Sequence, residues 1–335
     1  MSTPIFPHIA VLGAGAWGTA LALATHAAGR RTTLWVREPD VLEALKAGRE
    51  NRFLPAITLP ADLEVTGDLA EAAKADALLL VVPAQVLGSF AAALKPHLRP
   101  GTPLVICAKG IEKDSGRLVT EVVQDALPGY PVALLSGPSF ARDVARGLPT
   151  AVTIAAARSV KPHDLAARLQ ASLGSASFRP YASNDPTGVA LGGAAKNVYA
   201  IACGVVEGMG LGENARAALL ARSFAELARL GQALGARRET LMGLSGLGDL
   251  VLTATSPSSR NFSFGMELGR GVAQSDLLAP GRPLAEGVAT APALVSRARK
   301  EGVELPIAEA VADLLAGLPA GDALLRLMGR PLKEE

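Results

Sequence analysis

At 335 residues the chain is long enough for about two domains, and 49% hydrophobic against 19% charged residues exclude disorder as its main state. Thirty-three Lys and Arg against 31 Asp and Glu leave a net charge of +2, too even for a protein held to nucleic acid by bulk charge. Aromatic residues, at 4%, offer no base-stacking platform.

The opening MSTPIFPHIAVLG has neither a basic n-region nor a cleavage signal, so no secretory leader is expected. An apolar strand is predicted at His8–Leu12, a helix at Trp17–Ala28 closed by Gly29, a strand at Thr32–Val36 and a helix at Val41–Ala47 stopped by Gly48. A weak strand at Leu63–Thr66 and a short helix at Asp68–Lys74 follow. ALLLVV at Ala77–Val82, ended by Pro83, suits a strand buried on both faces, and Leu104–Ala108 and Val132–Leu135 repeat that character. Helices are predicted at Leu87–Leu94 and Gly116–Ala126, further strands at Thr150–Ala155 and Ser177–Tyr181, and a helix near His163–Leu173 between them. Strands alternating with helices imply right-handed crossovers and a mostly parallel, doubly wound sheet of the Rossmann type over residues 1–183.

After Asn184 the strand pattern stops, and residues 184–335 read as an all-α domain. Residues 188–206 are nearly uncharged, yet Lys196 sits near their centre, where a cation costs about 3 kcal/mol in a bilayer. A buried helix of a globular protein is the better reading. Further helices are predicted at Asn214–Leu234, Val288–Lys300 and Ile307–Leu315, with Ser275–Pro283 as a connecting loop. Two cysteines, Cys107 and Cys203, cannot form a disulfide framework or a structural zinc site, and His8, His26, His97 and His163 have no metal-ligand spacing. No metal site is expected, and a reducing, cytoplasmic compartment fits.

Gly13-Ala14-Gly15-Ala16-Trp17-Gly18 is G-x-G-x-x-G in the setting that gives the pattern meaning, after a strand and opening a helix. Gly13 permits the turn, Gly15 lets a pyrophosphate approach, Gly18 lets helix and strand pack, and the helix N-terminus receives the phosphates. The acid expected at the end of the second strand for NAD is replaced by Arg37 and followed by Glu38. Arg37 suits a 2′-phosphate and Glu38 keeps NAD open, so the cofactor is NADP or NAD. Lys196, with Asn197 beside it among Gly, Ala, Val, Leu and Ile, is placed where burial lowers a lysine's pKa into the range of a general acid or base. Asp249 and Thr253, four apart, share a helix face. Ser259-Arg260-Asn261 offers a guanidinium fork with hydroxyl and amide groups suited to a phosphate. Taken together with the dinucleotide fold, these residues read as parts of one active site.

The stretches GAGAWGTA (13–20), NRFLP (51–55), VVPA (81–84), AKGIE (108–112), LSGPSFA (135–141), GLPTA (147–151), LGGAAKNVYAI (191–201), GLGDLVLTAT (246–255) and SRN (259–261) run across nearly the whole chain. In order and spacing it resembles the bacterial NAD(P)-dependent sn-glycerol-3-phosphate dehydrogenases. The resemblance implies reversible hydride transfer between NAD(P)H and dihydroxyacetone phosphate, giving sn-glycerol 3-phosphate for phospholipid synthesis. It implies Lys196 as proton donor and acceptor, Lys109 touching cofactor and substrate, and Asp249 and Thr253 supporting the lysine and substrate hydroxyls. Arg260 and Asn261 would bind the phosphate region, with Ser259, Gly137, Ser139 and Asn197 adding contacts. Ala16, Trp17, Arg37, Ala141, Arg260, Leu284 and Glu286 fall at cofactor-contact positions. Two departures, Ala16 for a serine and Ala108 for a threonine, touch side-chain contacts and not the activity. A hydroxyacid, opine or ketopantoate-type dehydrogenase and a non-catalytic dinucleotide sensor are the competing readings, which the phosphate cluster and the proton relay disfavour. Apolar helices in the second domain suggest a homodimer, and no amphipathic membrane anchor is evident.

Overall fold

The computed structural model describes residues 3–157 and 164–331, so His163 lies outside them. The chain forms two compact units, one holding the chain up to Lys109 and Val119–Ala190, the other Gly110–Leu118 and Leu191 onward.

Among the described residues the first unit holds ten strands: β1 (His8–Leu12), β2 (Arg31–Trp35), β3 (Glu50–Asn51), β4 (Leu54–Thr58), β5 (Glu64–Thr66), β6 (Ala77–Leu80), β7 (Leu104–Ile106), β8 (Val132–Ser136), β9 (Thr150–Ala156) and β10 (Phe178–Ser183). Eight of them form one sheet in the order β10-β9-β8-β7-β6-β1-β2-β5. Every pairing in it is parallel except β8 with β9. Ile9, Ala10, Val11 and Leu12 of β1 and the whole of β6 and β7 are shut off from water, as strands covered on both faces must be. The chain builds outward from β1 through β2 to β5, then returns to lay β6 on the other side of β1. That reversal is the topological switch point, where open α/β sheets bind ligands beyond the carboxyl ends of the strands.

Two local expectations around the sheet need correction, and one element falls outside them. The helix expected from Gly116 starts at Val119, because Gly116 takes φ +72° and residues 110–118 form a loop closed by a bridge between Ile111 and Leu118. The helix expected over Asp68–Lys74 is confined to Leu69–Ala72, with the Asp68 carboxylate accepting the Ala70 N–H at 2.8 Å as an N-cap. The small antiparallel hairpin of β3 and β4 had no signature: one strand is two residues long and the other carries Pro55.

The second unit is helical. Its central element is the Pro186–Gly208 helix from Leu191 onward; the helix is long and apolar enough to cross a membrane, but 94% of its most apolar window is buried inside the protein. The helix contains glycines at a cost of about 1 kcal/mol each against alanine, and uses them for close packing. A Cβ on Gly204 would sit 2.1 Å from the Phe262 carbonyl oxygen, and one on Gly208 2.1 Å from that of Met266. In return, Gly265 and Gly269 of the Arg260–Gly269 helix admit the carbonyls of Ile201 and Val205 at 2.1 and 2.4 Å from their virtual Cβ positions. The Glu213–Ala233, Glu286–Lys300 and Pro306–Leu315 helices complete the core. The first part of the expected loop at Ser275–Pro283 is helical, within a turn at Gln274–Leu277, and a final helix runs over Ala320–Met328.

Candidate active site

In the first unit the glycine turn follows β1 at the switch point. Gly13 has φ +123°, and a Cβ there would lie 2.5 Å from the Val81 carbonyl oxygen, just past β6. A Cβ on Gly18 would strike the Gly13 carbonyl oxygen at 1.8 Å, so only glycine lets the helix close onto the turn. Gly15 is different in kind: it is exposed and a Cβ would meet nothing within 4 Å. The Ala16–Ala27 helix opens here with no side-chain cap and no acidic residue in its first turn. The Trp17 indole N–H is buried without a hydrogen-bond partner. Two glycines that make the turn, one that leaves it open, and a helix N-terminus free of competing carboxylates fit a dinucleotide pyrophosphate.

Arg37 is exposed and its guanidinium rests on Glu38 Oε1 at 2.7 Å. The structure brings together Lys109, Gly137 and Ser139: Lys109 Nζ donates to the Gly137 carbonyl at 3.1 Å, and Ser139 Oγ to the same oxygen at 2.9 Å. Gly137, at φ +150°, would place a Cβ 2.9 Å from Val152 Cα, so this approach of β8 to β9 requires glycine. Ala141 opens the Ala141–Ala145 helix.

In the second unit Lys196 is 7% exposed. Its Nζ donates to Asp249 Oδ1 at 2.5 Å and to Thr253 Oγ1 at 3.0 Å, and Thr253 Oγ1 donates to Asp249 Oδ1 at 3.2 Å. Asp249 and Thr253 share the Asp249–Ala254 helix and are both buried. A cation among apolar residues is thus held by a carboxylate and a hydroxyl supplied from about fifty residues along the chain. Asn197 accepts the Asn261 amide at 2.9 Å, and Asn261 Oδ1 accepts the Gly287 N–H at 2.9 Å. This chain ties the lysine helix to the starts of the Arg260–Gly269 and Glu286–Lys300 helices, the latter opened by Glu286 itself. Ser259 is buried, and its hydroxyl accepts the Phe262 N–H at 3.2 Å as an N-cap. Arg260 is exposed at that helix's first position, and Leu284 is exposed as well. Cys107 and Cys203 are core residues whose thiols burial pushes up, that of Cys203 to about 12, which leaves them no thiolate for chemistry.

Two features carry no signal in the periodicity. Asn51, in the NRFLP stretch, is 1% exposed and hydrogen-bonds the glycine turn. A five-residue π-helical turn, Leu244–Gly248, immediately precedes Asp249. The turn falls in GLSGLG, where three residues of six are glycine.

The profile of the NAD-dependent glycerol-3-phosphate dehydrogenase N-terminus matches residues 8–161, and that of the corresponding C-terminus matches residues 185–324. The glycerol-3-phosphate dehydrogenase [NAD(P)+] of Afipia carboxidovorans is 55% identical over 98% of this chain and 99% of its own, and that of Parvibaculum lavamentivorans 52% identical over 99% of each. Among solved structures, the glycerol-3-phosphate dehydrogenase of Coxiella burnetii superimposes with a TM-score of 0.91 at 38% identity, covering 98% of this chain and all of the other. The chain belongs to the NAD-dependent glycerol-3-phosphate dehydrogenase family.

Proposed function

We propose that the protein catalyses reversible NAD(P)H-dependent reduction of dihydroxyacetone phosphate to sn-glycerol 3-phosphate in the cytoplasm, supplying phospholipid synthesis, and works as a homodimer. The observation that carries the chemistry is the buried lysine held by Asp249 and Thr253. In this reading residues 1–183 hold the dinucleotide and residues 184–335 carry substrate and proton. The chemistry the dinucleotide supplies when bound is hydride transfer at C2. Gly13, Gly15, Ala16, Trp17 and Gly18 receive its pyrophosphate, and Arg37 exchanges Glu38 for the 2′-phosphate of NADP. Ala141, Leu284 and Glu286 add cofactor contacts, and Lys109 touches cofactor and substrate.

Lys196 presents an ammonium to the C2 oxygen as negative charge develops there, then gives up its proton. In the reverse direction its neutral amine takes the proton from the C2 hydroxyl. Asp249 favours the protonated lysine, Thr253 orients it, and burial keeps bulk water from competing for the proton. Arg260, at an exposed helix N-terminus, receives the substrate phosphate with a bidentate fork. Asn261 and Asn197 supply amides, Gly137 and Ser139 polar contacts, and Ser259 fixes the helix on which Arg260 stands.

Oxidation of NADH and NADPH, run side by side with dihydroxyacetone phosphate and with unphosphorylated dihydroxyacetone, tests this reading. Both cofactors are expected to work, NADPH at least as well as NADH, and the unphosphorylated ketone to be a very poor substrate. Turnover of ketopantoate or a 2-oxo acid, with none of dihydroxyacetone phosphate, overturns it.

A further inference from the structure

Asn51 ends β3, in a hairpin that belongs to neither the eight-stranded sheet nor the glycine loop, yet it is 1% exposed and makes hydrogen bonds with both polar atoms of its side chain. Its Nδ2 donates to the Ala14 carbonyl at 2.8 Å and to Thr19 Oγ1 at 2.8 Å, while Oδ1 accepts the Phe53 N–H at 3.0 Å. The bond to Phe53 is local to the hairpin. The two bonds from Nδ2 reach across to the glycine turn and to the first turns of the helix it opens.

The Ala14 carbonyl and the Gly15 N–H share one planar peptide, and all peptides here are trans, so the two groups point in opposite directions. A buried amide that grips the carbonyl therefore turns the Gly15 N–H outward, at a residue that is exposed and where an added Cβ would meet nothing within 4 Å. At the start of the turn the Gly13 N–H is already spent inward, on the Trp35 carbonyl at 3.2 Å. Gly15 on its C-terminal side makes this peptide easier to rotate, so its direction is best imposed from outside the turn. Thr19 completes the brace, since its hydroxyl is held by Asn51 and lies 3.5 Å from the same Ala14 oxygen.

We infer that Asn51 is a positioning residue for the dinucleotide pyrophosphate: it locks the Ala14–Gly15 peptide with its N–H aimed at the phosphate, and Thr19 supports it. The inference rests on the reading of the glycine turn as the dinucleotide cradle. Its proper readout is binding rather than turnover, because Asn51 is buried and its polar atoms are taken up by the protein's own groups.

Titration calorimetry with NADPH and with NADH tests it on the whole protein. Asn51→Leu removes both donors at similar volume, and Asn51→Asp keeps the shape and the acceptor for Phe53 while setting a carboxylate against the Ala14 oxygen. Each is expected to raise the Kd of both cofactors about tenfold, the scale of two lost hydrogen bonds. The KM for dihydroxyacetone phosphate and kcat at saturating cofactor stay within about twofold, since the loss is confined to ground-state binding. Thr19→Val, which preserves volume and removes one leg of the brace, is expected to give a smaller rise, and carries the test by itself should the Asn51 variants not fold. Unchanged Kd in these variants, or a fall in kcat with Kd intact, overturns the inference. Gly15→Val separates the two levels. If it too leaves Kd unchanged, the turn is not the cradle; if it weakens binding while the Asn51 and Thr19 variants do not, only the role of Asn51 fails.

Discussion

Side-chain exposures of 9% for Lys196 and 1% for Asp249 place their ion pair among those where removing one partner costs about 3–5 kcal/mol, because the other charge is left buried. An exposed pair such as Arg37 with Glu38 contributes less than about 1 kcal/mol. Lys196→Met therefore strands a carboxylate. Turnover is expected to fall at least 10²–10⁴-fold, the range for a lost general acid or base, and stability to fall with it. The double variant Lys196→Met, Asp249→Leu removes the stranded charge and is expected to regain stability in urea unfolding without regaining turnover. Should the double variant recover activity, the lysine is structural and not a proton carrier. Asp249→Asn separates charge from shape. Oxidation of glycerol 3-phosphate needs a neutral lysine, and the carboxylate holds the proton on, so its loss is expected to slow the reaction and move the pH optimum downward. An optimum that does not move would mean that Asp249 does not act through the lysine's charge.

Between residue and fold stands the packing that sets the distance from Lys196 to Asp249. Gly192 lies one helical turn before Lys196, and Ser245 lies four residues before Asp249, in the π-helical turn whose Gly248 N–H reaches back to the Gly243 carbonyl at 3.0 Å. A Cβ on Gly192 would lie 2.6 Å from the Ser245 carbonyl oxygen, a backbone atom that cannot swing aside. Gly192→Ala is thus expected to push the turn, and Asp249 behind it, away from the lysine helix. Gly204→Ala is as crowded, with its Cβ 2.1 Å from the Phe262 carbonyl oxygen, but lies two turns beyond Lys196 on the far side from Gly192. Both variants should lose about 1–3 kcal/mol of stability to overpacking, measured by urea unfolding. Only Gly192→Ala should also lower kcat and shift its pH optimum; equal effects of the two on kcat would rule out a role for Gly192 in setting the pair. What was legible in the sequence follows the same division. Lys196 stood out because a charge in an apolar helix is conspicuous, and Asp249 with Thr253 because a spacing of four is the helix's own. The glycine turn was legible because Gly13 and Gly18 each have a separate steric reason and Gly15 keeps the turn open between them. Asn51 and the π turn were not, because one acts through a long-range hydrogen bond and the other through a backbone register, and neither leaves a period.

On the scale of the molecule, the sheet was readable strand by strand from continuous apolar runs such as ALLL in β6, but the antiparallel entry of β9 beside β8 was not, since direction leaves no mark in a strand buried on both faces. The helical unit hides a further long-range contact. Glu226, 3% exposed on the Glu213–Ala233 helix, accepts the N–H groups of Ile307 at 2.7 Å and Ala308 at 3.3 Å, closing the start of the Pro306–Leu315 helix. Fully buried Tyr199, from the lysine helix, is its neighbour, so three helices remote in sequence meet at one carboxyl. Burial pushes this carboxyl from 4.5 up to about 7, against the pull of the two N–H groups. Between those values the folded protein keeps a proton that the unfolded chain has released. Its contribution to stability is therefore complete below about pH 4.5, declines as pH rises toward 7, and is flat beyond, a change of about 3 kcal/mol over the window. Glu226→Gln cannot titrate. It gives up one acceptor for the two N–H groups and so is expected to be less stable than the parent at pH 5, with the gap narrowing up to about pH 7 and levelling off beyond it. Urea midpoints taken across that range measure the gap, and a difference that stays constant with pH would show that the Glu226 carboxyl is already ionised in the folded protein at pH 5.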